Sequence, residues 1–229
     1  MGEHLLPGAP PVVLTLRRSG RARRISLRVS QLDGRVTLTL PQGVPEGEAL
    51  EFARSREGWI RTHLEARPDD LAVALGAVLP VEGMARRIVP VAGRRVLLRT
   101  TEIGVPDGPD GAVGARLQSY LRQLARDRLA EASDRYAARL GVSYARITLR
   151  DTRSRWGSCS SLGGLMYSWR LVLAPPAILQ YVAAHEVAHL AEMNHSPAFW
   201  AVVERLYGPY REPRRWLRTQ GNQLHRYRF

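Results

Sequence analysis

Short runs in which apolar and polar residues alternate fill the first half of the chain, and this period of two predicts β-strands. Two such runs, residues 24–29 and 36–40, flank Asp33-Gly34, a dipeptide typical of hairpin turns. Further short strands are expected at residues 12–17, 78–81, 86–89 and 94–98. The apolar side chains of the hairpin would face one core and leave its arginines on the opposite side: Ile25, Leu27, Val29, Val36, Leu38 and Leu40.

Helical periodicity interrupts this pattern once in the first half and dominates the second half. A helix is expected to follow residues 43–46 and to end near residue 65, with Trp59 and Ile60 on its buried side. A long amphipathic helix is expected at residues 112–140, with Gly141 as its stop. A strand at 146–150 and a loop around 156–164 should come next. One face of a further strand is then predicted by Leu165, Tyr167, Trp169, Leu171 and Leu173.

Together these elements predict an α+β protein whose N-terminal half is rich in β-structure. A chain of 229 residues is long enough for one domain or one and a half. Residues 104–111 combine prolines, aspartates and glycines and are the best linker candidate. We therefore expect a flexible lead at residues 1–9, a β-rich N-terminal subdomain at 10–105 and a second domain at 112–229.

Candidate chemistry is concentrated in an H-E-x-x-H motif formed by His185, Glu186 and His189, in a helix that is apolar nearly all round. Residues four apart share one helix face, so the two imidazoles can bind the same zinc ion. Asn194 tolerates the left-handed conformation, so the chain should reverse there and bring His195 back as third ligand. A fourth position would stay open for water, with Glu186 as its base.

Two other residues compete for the place of the third or fourth ligand. Glu204 lies on the next predicted helix, residues 197–206, and could replace His195 as a ligand or hold a histidine ring. Cys159, the one cysteine, could close the site as a fourth ligand, although a single cysteine is usually a small apolar core residue. These alternatives stay open at this point.

Composition bounds the class of protein. A hydrophobic content of 45% with 24% charged residues is typical of a globular protein. The start of the chain lacks a secretory signal pattern, no apolar run is long enough to cross a membrane, and a single cysteine excludes an internal disulfide. We therefore expect a cytoplasmic protein without a membrane partner.

The net charge of +13 and an arginine cluster at the hairpin raise the alternative of nucleic-acid binding. However, the chain contains no lysine, so its arginines reflect a compositional bias more than a choice of arginine at phosphate contacts. A solvated hairpin face is the favoured interpretation. The cluster comprises Arg17, Arg18, Arg21, Arg23, Arg24 and Arg28.

Three segments carry a resemblance to a known family. They are Arg155-Trp156-Gly157-Ser158-Cys159-Ser160, then Tyr181 to Glu186, and then Asn194-His195-Ser196-Pro197-Ala198-Phe199-Trp200. Together they resemble the YgjP-like metal-dependent hydrolases, which are related to the SprT-like and WLM groups of zincins. The resemblance implies a zincin-like metallopeptidase core with His185, His189 and His195 on one zinc ion, Glu186 as catalytic base, and a peptide or protein substrate.

The ligand spacing is also similar to that of the metzincins, but two features exclude that group. Glu192 stands where their glycine would be, and no methionine follows Met193 to form their Met-turn. Within the zincin resemblance, a strand around residues 166–172 could pair with an extended substrate as an edge strand. Arg155, Trp156, Cys159 and Tyr167 are candidates for the lining of the cleft.

Two rival functions follow from the same residues. In a DNA-associated protease of the SprT or WLM type, Arg21, Arg23 and Arg24 would bring the enzyme to substrates on DNA. In a non-catalytic zinc module, three histidines and Cys159 would form a closed site without a water.

Overall fold

The computed structural model describes residues 2–30, 33–65, 69–106, 108 and 112–229. It divides the chain into two compact units, residues 1–69 and residues 70–229. The predicted α+β class, with strands concentrated in the first half and helices in the second, is confirmed.

The first unit contains a four-stranded sheet followed by two helices. Its strands are β1 (Glu3–Leu6), β2 (Val12–Arg18), β3 (Ser26–Val29) and β4 (Val36–Leu40). They lie in the order β1-β2-β4-β3, with β2 and β4 parallel and both outer pairs antiparallel. The predicted hairpin is confirmed as the β3–β4 pair. Part of the flexible lead predicted at residues 1–9 is ordered, because β1 lies within it and pairs with β2 along its whole length.

Alternation along these strands sends one set of side chains into a small core. Val36, Leu38 and Leu40 are fully buried, and the predicted inner residues of β3 pack against them at the sheet edge. The six arginines of the cluster all lie on exposed positions. The predicted single helix is divided at Arg56 into α1 (Glu46–Ser55) and α2 (Glu57–Glu65). Ile60 is buried as predicted, but Trp59 is 43% exposed.

The second unit begins with β5 (Leu71–Ala72) and a second four-stranded sheet. This sheet comprises β6 (Val78–Val81), β7 (Met84–Val91), β8 (Leu97–Leu98) and β9 (Glu102–Pro106). Their order is β6-β7-β9-β8, with a parallel central pair and antiparallel outer pairs. The first unit has the same arrangement, so the chain repeats a strand topology that its sequence does not reveal.

The long helix α3 (Ala112–Leu140) packs in the same core as this second sheet. Its buried residues recur at helical spacing, and Gly141 ends it in a left-handed conformation with φ of 74°. The division of the chain therefore falls at residues 69 and 70, not at the linker predicted at 104–111, because Leu79, Ile88 and Ile103 share a core with α3. Residues 107 and 109–111 lie outside the described residues.

A three-stranded sheet follows α3 and leads to the motif helix. Its strands are β10 (Arg146–Arg150), β11 (Gly157–Cys159) and β12 (Gly164–Ser168), in the order β10-β12-β11. The predicted strand at 165–173 is shorter, because residues Trp169–Leu173 form a 3-10 helix. The edge strand predicted at 166–172 is also corrected, since β12 is central and β11 is the edge on one side.

The remaining elements are helical and end in a short strand. They are α4 (Pro176–Ala188), α5 (Pro197–Tyr207), α6 (Arg211–Thr219), a 3-10 helix at Gly221–His225, and β13 (Tyr227–Arg228), which pairs in parallel with β5. No helix among the described residues is both long enough and apolar enough to span a membrane.

A buried arginine ties this C-terminal segment to the core. The Arg170 guanidinium donates to both carboxylate oxygens of Asp151, at 2.6 and 3.1 Å, and to the carbonyls of Leu224 and Tyr227, at 3.0 and 3.1 Å. Burial alone would raise the pKa of Asp151, but the bond and charge of Arg170 outweigh it and lower that pKa. These bonds satisfy a charge that would otherwise be costly to bury.

The buried imidazole of His225 should make stability depend on pH. Burial, helped by the charge of Arg170, lowers the pKa of His225 from 6.5 to about 4. Between these values the unfolded chain binds a proton that the folded chain does not, so the free energy of unfolding falls as pH decreases through this window. The variant His225→Gln lacks this contribution, so its Tm should decrease less steeply than that of the wild type as the pH is lowered.

Thermal unfolding of both proteins in a metal chelator, at several pH values from about 6.5 to about 4, measures the effect. Curves of Tm against pH that run parallel for wild type and variant would show that His225 is not buried as a neutral imidazole.

Candidate metal centre

The motif helix α4 is buried on nearly every side, as its apolar sequence predicted. Pro176 occupies its first turn, where a missing N–H costs no hydrogen bond. Tyr181, His185 and His189 follow each other at intervals of four, so their side chains share one face of the helix and the turn after it. The helix ends at Ala188, and His189 is its C-cap residue.

A tight reversal after α4 carries His195 back to the helix. The amides of Ala191 and Glu192 both donate to the carbonyl of Ala188, at 3.1 and 3.0 Å. Asn194 does not take the left-handed conformation that we predicted. In the described part of the chain, Glu82 is the only residue other than glycine with a positive φ. Instead, the Asn194 side chain accepts a hydrogen bond from the amide of Ser196.

The three histidines form the one cluster with metal-ligand character in the described residues, with their ligand atoms within 4.8 Å of one another. The Nε2 atoms of His185 and His195 are 3.1 Å apart. Nδ1 of His189 must donate to the Glu192 carbonyl, at 2.9 Å, so its Nε2 keeps a lone pair for a metal. Nδ1 of His185 is buried and has no hydrogen-bond partner among the described residues.

The electrostatics of this cluster favour neutral imidazoles, which are the form that binds metals. Burial, followed by the proximity of the other two rings, lowers the pKa of His185 to about 3. Burial also lowers the pKa of His189. Three imidazoles in one place, with His185 and His189 held neutral by burial, therefore fit a transition-metal ion such as zinc.

Aromatic side chains from α5 hold the imidazole rings in place. Phe199 stacks on His189 with ring centroids 4.4 Å apart, and it contacts His185 and His195 edge-on. Trp200 stacks on His195 at 5.7 Å. Ser196 caps α5 by accepting a hydrogen bond from the Phe199 amide, which fixes the start of this helix relative to the reversal.

Glu186 is buried between α4 and β11, with only 5% of its surface exposed. A Cβ added to Gly157 would lie 2.5 Å from Oε1 of Glu186 and 2.6 Å from its Cγ, so the carboxylate occupies the space of a missing side chain. Burial raises the pKa of Glu186 to about 8, and the charge of Arg155 opposes this shift. Burial therefore favours the neutral carboxyl group over the carboxylate in the metal-free protein.

The structure separates the other candidate ligands from the cluster. Neither Cys159 nor Glu204 belongs to it. Cys159 lies in β11, its thiol contacts the Ser160 carbonyl, and burial, followed by the charge of Glu186, raises its pKa. Glu204 is exposed on α5. The described residues therefore do not form the closed site of three histidines and one cysteine.

The four predicted cleft residues have different surroundings. Arg155 and Cys159 line a groove beside β11, and Trp156 lines a pocket that reaches His185 and Glu186. The ring of Trp156 rests on His225, with centroids 5.1 Å apart. Tyr167 is fully buried and its hydroxyl bonds to Ser133 at 3.0 Å, so it belongs to the core and not to the cleft.

Four residues of the pocket were missed by sequence reasoning, namely Gly157, Tyr181, Val182 and Leu217. The pocket has a volume of about 220 Å³, and its apolar walls include Tyr181 and Leu217. The four-residue interval between Tyr181 and His185 was a signal that could have identified the tyrosine. Leu217 lies on α6, far along the chain, and no local pattern connects it to the motif.

Comparison with known proteins identifies the family of this chain. A family model described as YgjP-like, metallopeptidase domain, matches residues 23–220. Among solved structures, the chain is similar to the metallopeptidase zymogen of Pyrococcus abyssi abylysin, with 23% identity over 42% of this chain and 95% of that chain and a TM-score of 0.34. No curated protein matches the chain. Since the family model spans most of the sequence and includes all three histidines, the chain belongs to the YgjP-like metallopeptidase family.

Proposed function

We propose that this protein is a zinc peptidase that hydrolyses peptide bonds with Glu186 as general base. The observation that carries the proposal is the buried carboxyl group of Glu186, which lines one pocket together with His185 of the histidine cluster. His185, His189 and His195 would hold the ion. When bound, zinc would polarise a water molecule and the substrate carbonyl.

Glu186 is suited to move one proton twice. Its carboxylate would accept a proton from the attacking water and then deliver it to the nitrogen of the departing amine. Burial raises the pKa of Glu186 in the metal-free protein, and the positive charge of a bound zinc ion would lower it again, towards the carboxylate form that accepts the proton. Gly157 is a positioning residue in this scheme, because the absence of its side chain lets the carboxylate reach its place.

The substrate would bind as an extended strand along the free edge of β11. The backbone amide of Ser168 donates to the carbonyl of Trp156, and the backbone amide of Ser160 donates to the carbonyl of Gly164. The backbone groups of the even-numbered residues of this segment therefore face β12. In an antiparallel ladder the backbone groups of the intervening residues, Gly157 and Cys159, point the other way. They can pair with a substrate backbone next to Glu186.

The pocket beside His185 and Glu186 would receive a substrate side chain. Trp156, Tyr181, Val182 and Leu217 line it, and its volume of about 220 Å³ suits an apolar residue. A side chain seated there would hold the adjacent peptide bond near the carboxylate of Glu186.

The variant Glu186→Gln tests the proposed base. It keeps the size and packing of the side chain but cannot accept the proton, so kcat should fall by at least about a hundredfold while zinc binding is retained. Hydrolysis of an unstructured protein and the zinc content of the same samples provide the two readouts. Undiminished hydrolysis by the zinc-loaded variant would show that Glu186 is not the base.

Gly157→Ala tests the positioning of that carboxylate. The added methyl group would overlap Oε1 and Cγ of Glu186, so kcat should fall by about tenfold or more with little change in zinc content. Gly43→Ala is the control, since a Cβ there meets nothing within 4 Å. Equal activity of both variants and wild type would mean that the carboxylate does not depend on Gly157.

A further inference from the structure

The three-stranded sheet has an outer face that the proposed chemistry does not use. In β10, Ile147 and Leu149 pack against the core, so Arg146, Thr148 and Arg150 point away from it. The register aligns Thr148 with Met166 of β12, and Met166 with Ser158 of β11. These side chains form the floor of a groove with a volume of about 530 Å³. We call it the outer groove.

The outer groove is strongly basic. Arg146, Arg150 and Arg155 line it together with five hydroxyl side chains, and none of the described residues in its lining is acidic. Arg146 and Arg150 are exposed and form no ion pair with any described residue. Asp151, the acidic residue next to Arg150, is bound by Arg170 instead. Positive charge and hydroxyl donors therefore face the groove without an internal counter-charge.

The outer groove and the pocket beside Glu186 meet at β11. In this strand Gly157 contacts Glu186, whereas Ser158 and Cys159 line the groove. Arg155 lines the groove and also acts electrostatically on Glu186. Because the strand order is β10-β12-β11, a substrate paired with β11 would lie beside Arg155 and Ser158, whereas Arg146 and Arg150 lie two strands further across the same groove. An adjoining segment of a longer substrate would reach them by crossing the outer groove.

We propose that the outer groove binds acidic side chains of the substrate, so that the enzyme selects protein segments that carry several Glu or Asp residues. This inference rests on the proposed peptidase function. The guanidinium groups would bind the carboxylates through charge-assisted hydrogen bonds, to which the hydroxyls contribute. A protein segment fits better than a single-stranded nucleic acid, because no aromatic ring among the described lining residues offers a stacking surface for bases.

Direct binding tests the outer groove without requiring turnover. The protein is the zinc-loaded, full-length Glu186→Gln variant, and the probes are two fluorescent ten-residue peptides with either Glu or Gln at every second position. Fluorescence anisotropy should show that the Glu peptide binds about tenfold more tightly and that added salt reduces the difference.

Two matched double substitutions locate the effect. Arg146→Gln with Arg150→Gln should abolish the preference for the Glu peptide. Arg122→Gln with Arg126→Gln removes the same charge from exposed positions of α3 and should leave the preference unchanged. Equal affinity for the two peptides, or an equal loss in both double variants, would overturn the assignment. A preference for nucleic acid would also overturn the assignment. It would appear as an oligothymidine that binds more tightly than the Glu peptide and loses this binding only when Arg146 and Arg150 are replaced.

Cleavage of the same peptides by the wild-type enzyme separates the two proposals. Cleavage of both peptides at equal kcat/KM would contradict the acidic preference and support the peptidase. Binding with the expected preference, but without cleavage of either peptide or of an unstructured protein, would contradict the peptidase and leave the groove as an acidic-peptide site.

Discussion

The motif helix must bury nearly all of its surface while it carries two imidazoles and a carboxylate, and the surrounding structure is arranged to meet this constraint. Unpaired polar groups in a protein interior cost several kcal/mol each, so each needs a partner or a ligand. The carboxylate of Glu186 lies against Gly157, where no side chain competes for the space. The imidazoles of His185 and His189 lie against Phe199, and together with His195 they offer their nitrogens to one point.

The C-terminal segment supports the same site from the side of β11. Arg170 holds the carbonyls of Leu224 and Tyr227, and this fixes the 3-10 helix that carries His225 against the Trp156 ring. Trp156 in turn forms a wall of the pocket beside Glu186. The final residues of the chain are therefore connected to the cleft through a short series of packed groups, although they lie far from the motif in sequence.

The sequence predicted what depends on local spacing. Helical geometry determines that His185 and His189 share a face, and the long helix α3 follows directly from its apolar periodicity. Contacts between distant elements were not predictable, such as the fit of Glu186 to Gly157 or the core that residues 70–106 share with α3. The prediction that Tyr167 lines the cleft was wrong for a different reason. Its alternation with Leu165 along the strand already indicated that it faces the core, where it is fully buried.

Zinc content of the purified wild-type protein, beside His195→Ala and Cys159→Ser, tests the central claim most directly. Circular dichroism would first establish that all three proteins are folded alike. The account predicts about one zinc per chain in wild type and Cys159→Ser, and a large loss in His195→Ala, since removal of one of three protein ligands weakens such a site. Full zinc retention in His195→Ala, or no zinc in wild type when the metal is supplied, would contradict it.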